Sequence, residues 1–225
     1  RCVYGFASEW PYLSYLGIGA WWAWVWVCYS STVLAGSLAP GDQGSAITLM
    51  YVLSTPAIAT LLLLAGVFWD RFTGIITKNV VIVVSGVIAG AATVVLVFGH
   101  TMAIPWLFVC MAILTGVCTG ILCLKCGQVY GRLAARDSLM MGFMSLVFAC
   151  FLYFVAIGLP SDLGVVFAGL LPIIAALLFI MPGDDPFPEA TWRAHHASMR
   201  KGAGARSFRH LVVASALIAF TASMG

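Results

Sequence analysis

Charge is what this sequence has least of. Asp, Glu, Lys and Arg make up 8% of its 225 residues, against about 25% in ordinary soluble domains. Eleven basic and eight acidic side chains could not cover the surface that a soluble fold of this length leaves wet. With 62% hydrophobic residues and a mean hydropathy of +1.05, lipid has to be the solvent for most of the chain. The seven cysteines, Cys2, Cys28, Cys110, Cys118, Cys123, Cys126 and Cys150, are odd in number and sit mostly within or at the ends of apolar stretches. That pattern does not fit a secreted disulfide framework. Metal ligation has little to work with. Cys123 and Cys126 have no second Cys-x-x-Cys, and the adjacent His195 and His196 would point about 100° apart on a helix. No Ser/His/Asp set or carboxylate pair suggests hydrolysis, so no enzyme activity, metal or cofactor is expected. A basic leader with a cleavage site is not visible either, and insertion is expected to be driven by the spans themselves.

What the sequence does have is a series of long apolar runs. A window of about 19 residues finds spans near Tyr12 to Leu34, Ile47 to Trp69, Val80 to Phe98, Pro105 to Cys126, Leu139 to Leu159 and Gly164 to Met181. Each can cross about 30 Å of hydrocarbon at about 1.5 Å per residue. Turn chemistry marks the connectors: Pro40-Gly41-Asp42, Gly99-His100-Thr101 and Pro160-Ser161-Asp162 on one side, Asp70 to Asn79 and Gly127 to Ser138 on the other. The expected fold class is therefore all-α, a polytopic membrane protein.

Every basic residue falls on one side of that layout. Arg1 precedes the first span, Arg71 and Lys78 join the second to the third, and Lys125, Arg132 and Arg136 lie at or after the end of the fourth. Arg193, Arg200, Lys201, Arg206 and Arg209 follow the sixth. Loops rich in Lys and Arg stay in the cytoplasm, which places the amino terminus and the loop after the sixth span there. Within the spans no Asp, Glu, Arg or His is found, and Lys125 is expected at a helix end, snorkelling outward.

Three segments follow: a six-span bundle over 1–181, a cytoplasmic linker over 182–210 and, over 211–225, an apolar run expected to begin a second, truncated half. The linker opens on Pro182-Gly183-Asp184-Asp185-Pro186, carries Trp192 and Arg193, and ends basic. It suits a solvated connector or one short interfacial helix at the headgroups.

Six spans, a long basic cytoplasmic loop and a further span resemble the layout of the major facilitator superfamily, whose members pair two six-helix halves. Gly66, Asp70, Arg71 and Gly74, between the second and third spans, are similar to that family's glycine, Asp-Arg, glycine, basic motif. Ile75 and Ile76 stand where the family has paired basic residues. The first span contains Gly19-Ala20-Trp21-Trp22-Ala23-Trp24, which resembles the membrane portions of LuxR-type regulators from actinobacterial gut anaerobes. That resemblance implies a bacterial inner-membrane sensor whose helix-turn-helix DNA-binding domain lies outside this sequence, so that DNA is a partner only through that domain. The alternative it leaves open is a secondary transporter of the same fold.

Two further features bear on function. Tyr15, Trp22, Trp26 and Tyr29 recur at helical spacing and share a face, a stripe suited to lining a cavity for a small apolar or aromatic ligand. Gly86 with Gly90, and Gly116 with Gly120, are small-xxx-small pairs expected to bring helices close together. Lipid, and the second half of the same chain, are the other expected partners. In the second span, Ser54-Thr55-Pro56 is a candidate kink.

Overall fold

The computed structural model describes residues 13–36, 40–76, 78–101, 104–131, 133 and 135–181. The linker with His195 and His196, and the run over 211–225, lie outside these residues. Among the described residues seven α-helices follow in order: α1 Leu13–Ser30, α2 Pro40–Val67, α3 Trp69–Ile76, α4 Asn79–Thr101, α5 Pro105–Tyr130, α6 Ala135–Gly158 and α7 Ser161–Ile180. A single 3-10 turn, Val33–Ala35, sits between α1 and α2. Among the described residues there is no strand.

Helix is the one local structure open to such sequences, because lipid offers no partner for a free N–H or C=O. That constraint overrides the poor helix propensity of the Val- and Ile-rich α4. The helices α2, α4, α5, α6 and α7 are each long and apolar enough to cross a membrane. With 18 residues and no charge, α1 falls outside that group because its tryptophans and tyrosines count as weakly polar on a hydropathy scale. Ten of its residues are nonetheless buried.

Several boundaries differ from the sequence expectation. Pro40-Gly41-Asp42 and Ser161-Asp162, read as connectors, are the opening turns of α2 and α7. Proline is tolerated at a first helical position, and an acidic side chain there complements the helix dipole. Within the connector expected over Asp70 to Asn79 lies most of a short helix, α3, Trp69–Ile76, which also takes Trp69 from the expected second span. The fourth span runs on to Tyr130 rather than ending at Cys126. Lys125 is consequently 9% exposed and inside the helix, not at its end. Finally, α2 passes unbroken through Pro56. Ser54 Oγ donates to the Met50 carbonyl at 2.8 Å and Thr55 Oγ1 to the Tyr51 carbonyl at 2.7 Å, whereas the carbonyl that Pro56 frees belongs to Val52.

Small residues fill the inside. Ala20, Ala23, Ala89, Ala112, Ala149, Ala168 and Ala175 have no exposed surface, while Leu139, Phe143 and Phe154 are turned outward. Membrane helices pack on small side chains in this way, since lipid supplies no hydrophobic drive between them. A Cβ on Gly86 would lie 2.5 Å from Ala176 Cβ and 2.7 Å from the Pro172 carbonyl, and one on Gly90 would meet the Gly169 carbonyl. On Gly116 it would come within 2.5 Å of the Ser54 carbonyl, and on Gly120 within 2.6 Å of Leu61 Cδ2.

Extensive interfaces join α1 to α6 and α7, α4 to α5 and α7, and α2 to α5. Exchanging α1 with α5, α2 with α6 and α4 with α7 maps this set onto itself. Burial follows the same exchange: the most apolar stretches of α2 and α6 are 28% and 22% buried, against 44% for both α4 and α7. Close approaches follow it too. The Gly19 position on α1 sits 2.5 Å from the Ser145 carbonyl on α6, as Gly116 on α5 does from Ser54 on α2.

Candidate functional site

A cavity of about 360 Å³ opens between α1, α5 and α6. Helix α1 supplies Ile18, Trp21 and Trp22; α5 supplies Cys123, Cys126, Gly127 and Tyr130; α6 supplies Gly142 and Leu146. On α5 the spacing is three, one and three residues, so these four share one helix face. The cavity lies where α1 begins, α5 ends and α6 begins, which is the end of the bundle carrying the α5–α6 connection and its basic residues. Among the described residues, no Asp, Glu, Lys, Arg or His is on its wall.

Of the four aromatic residues in the sequence stripe, Trp22 is on the cavity wall, 40% exposed. Tyr15 is buried in a separate small cluster with Leu133 and Met141. Trp26 packs edge-on against Tyr153 of α6 at 6.1 Å, and Tyr29 against Tyr51 of α2 at 5.9 Å. Tyr15, Trp22 and Trp26 therefore face α6, with the Trp22 and Trp26 rings 6.0 Å apart, whereas Tyr29 faces α2. Trp21, which helical spacing sets on another side of α1 from the stripe, lies on the cavity wall, its ring 5.1 Å from that of Trp22. Its indole Nε1–H is buried with no hydrogen-bond partner among the described residues. Opposite, Tyr130 Oη donates to Ser145 Oγ at a long 3.3 Å, and Ser145 Oγ donates to the Tyr15 carbonyl at 2.9 Å.

Sequence reasoning missed Trp21, Cys123, Cys126, Gly127, Tyr130, Gly142 and Leu146 as a group. The face shared by the α5 residues was readable, but nothing in the sequence shows which helix stands opposite. Lys125 comes two residues after Cys123, about 200° round the helix, and so points away from the cavity.

The motif residues lie at the same end of the bundle. Gly66 is buried near the end of α2, Arg71 and Gly74 are exposed on α3, and Asp70 lies within α3. Cys28 and Cys118 are buried, Cys110 is exposed, and all the described cysteines are free thiols. Among the described residues, no three His, Cys, Asp or Glu side chains are grouped to hold a metal. Comparison with protein-family models, with curated proteins and with solved structures finds no match to this chain.

Proposed function

We propose that the chain is the amino-terminal half of a major-facilitator-like bundle in a bacterial inner membrane, and that it serves as the ligand-sensing domain of a LuxR-type regulator. The observation that carries the sensing role is the cavity: concave, walled by aromatic and small side chains, and without charge among the described residues, as binding sites for small molecules commonly are. The bundle reading draws support from the helix exchange. Three helices make an odd number of crossings, so the repeat α1, α2, α4 and the repeat α5, α6, α7 run in opposite directions. Inverted three-helix repeats of this kind are nested in each half of major facilitator transporters. The tryptophan-rich α1 supports the regulator, and the DNA-binding domain belongs to sequence beyond this chain.

In the full-length protein, Trp22→Leu is expected to weaken the ligand response of a target promoter by about tenfold, the effect of losing roughly 1.4 kcal/mol of binding, with membrane insertion unchanged. Trp26→Leu, whose ring packs on Tyr153, is expected to do less. A normal promoter response from Trp22→Leu would sink the reading.

One observation favours the transporter alternative, the burial of Lys125 within a span, since ionisable groups there commonly mark substrate or proton pathways. Saturable uptake by proteoliposomes, lost in Lys125→Met, would promote it.

Orientation is tested separately. In a cysteine-free background, single cysteines at Gly44 or Ser161, both exposed at the end without basic residues, should react with a membrane-impermeant maleimide on intact cells. A cysteine at Gly74, exposed at the other end, should react only after lysis. Labelling of Gly74 from outside would reverse the topology.

A further inference from the structure

The helix exchange sets a register that shows why the cavity exists at one end of the bundle only. Gly19 and Gly116 occupy equivalent places, each against a serine carbonyl, Ser145 and Ser54 respectively. Ten residues beyond each glycine stand Tyr29 on α1 and Cys126 on α5. Three residues before each serine stand Tyr51 on α2 and Gly142 on α6. Cys126 and Gly142 are on the wall of the cavity. Their counterparts, Tyr29 and Tyr51, pack edge-on at 5.9 Å and fill the equivalent place between α1, α2 and α5. The backbone thus offers two equivalent hollows; two tyrosines plug one, and a cysteine and a glycine leave the other open.

We propose that the open hollow binds a neutral, flat, largely apolar molecule carrying a hydrogen-bond acceptor, and that the Tyr29–Tyr51 pair closes the counterpart so that the ligand is reached from the basic end alone. The inference names the ligand class for the site in the proposed function and rests on the reading of this bundle as ligand-binding. Flatness follows from the walls, because the rings of Trp21, Trp22 and Tyr130 line the cavity and aromatic side chains favour planar partners, stacked or edge to face. Neutrality follows from the same walls, which hold no counter-charge among the described residues, and burying an unpaired charge is prohibitive. The acceptor answers the Trp21 Nε1–H, a buried donor without a partner among the described residues, with the Tyr130 hydroxyl as a second polar group across the cavity.

Benzophenone, a neutral aromatic ketone that attaches to nearby C–H bonds on irradiation, tests this on the full-length protein in lipid nanodiscs, with attachment mapped by mass spectrometry. Saturable attachment is expected on the peptides holding Trp21 and Gly142, suppressed by excess fluorenone and not by decanol. Gly142→Tyr, which copies the plug, is expected to reduce it by about tenfold or more. Gly142→Ala is the folding control, since its Cβ would meet nothing closer than the Tyr130 ring at 3.6 Å; it should reduce attachment by a smaller factor. Tyr51→Ala should open the counterpart and add a second labelled site near Tyr29. Undiminished attachment in a folded Gly142→Tyr protein would overturn the proposal. So would equal attachment of benzophenone-4-sulfonate, an anion, and displacement by decanol would assign the hollow to a lipid tail. If benzophenone labels the cavity while Gly142→Tyr leaves the promoter response untouched, the site stands and the sensory reading falls.

Discussion

Trp24→Ala is expected to be the most damaging single substitution in this bundle, costing about 3–5 kcal/mol and lowering the fraction of SDS needed to unfold the protein in mixed micelles. Trp24 is 1% exposed, near the middle of α1, and is the largest of the fully buried side chains. Its Nε1–H donates to Thr93 Oγ1 on α4 at 3.1 Å, and the Thr93 hydroxyl donates in turn to the Ala89 carbonyl at 2.8 Å. Packing and hydrogen bonding separate cleanly here. Trp24→Phe keeps most of the ring and strands no donor, because Thr93 keeps Ala89 as its acceptor. Hydrogen bonds between membrane helices average about 0.6 kcal/mol, so Trp24→Phe should cost far less than Trp24→Ala. Thr93→Val leaves the buried indole N–H unpaired and should fall between them, at about 1–3 kcal/mol. If Trp24→Phe proved as harmful as Trp24→Ala, the hydrogen bond rather than the ring would be holding α1 to α4.

The positions of the helices were legible in the sequence because lipid permits so little else. An apolar run of sufficient length has to become a helix, and the runs found by hydropathy coincide with α1, α2, α4, α5, α6 and α7 to within a few residues at most ends. The largest error falls at a proline, Pro40, well before the expected start at Ile47. Pro40 and Pro160 signal breaks in a soluble chain, whereas here Pro40 opens α2 and Pro160 immediately precedes α7. Ending the fourth span at Cys126 had a chemical consequence: it put Lys125 at the water boundary, when the helix carries on to Tyr130 and buries it.

The cavity was much less legible. A stripe at helical spacing is informative when a helix has one buried and one wet face, but in α1 only Trp22 and Ser30 are exposed. A shared face on such a helix does not name one neighbour: Tyr15, Trp22 and Trp26 meet α6 and Tyr29 meets α2, and of the four only Trp22 lines the hollow. The hollow itself arises from the smallness of Cys126 and Gly142, two residues on different helices, 16 apart in the chain. Single-helix periodicity cannot register a side chain that is missing across an interface. The glycine pairs lay in between: Gly86 with Gly90 signalled close packing, while the partner, Gly169 to Ala176 on α7, emerged only with the fold.

Gly19→Ala and Gly116→Ala should lower stability by similar amounts, each about 1–3 kcal/mol net, even though Ala is the better helix former by about 1 kcal/mol. Each new Cβ would stand 2.5 Å from a backbone carbonyl, that of Ser145 for Gly19 and that of Ser54 for Gly116. A carbonyl cannot rotate out of the way, so α1 would have to move off α6, and α5 off α2. Gly120→Ala makes an instructive contrast, since its 2.6 Å neighbour is the Cδ2 methyl of Leu61, the end of a flexible side chain that a rotamer change can withdraw. It should cost less than either. Gly44→Ala meets nothing within 4 Å and should be neutral or stabilising, by up to about 1 kcal/mol from helix propensity alone. The order of these four, read by SDS unfolding, tests whether the two repeats share their crossing geometry. A harmless Gly19→Ala beside a severe Gly116→Ala would mean that α1 and α5 are not equivalent, and the register that pairs Tyr29 with Cys126 would fall with it.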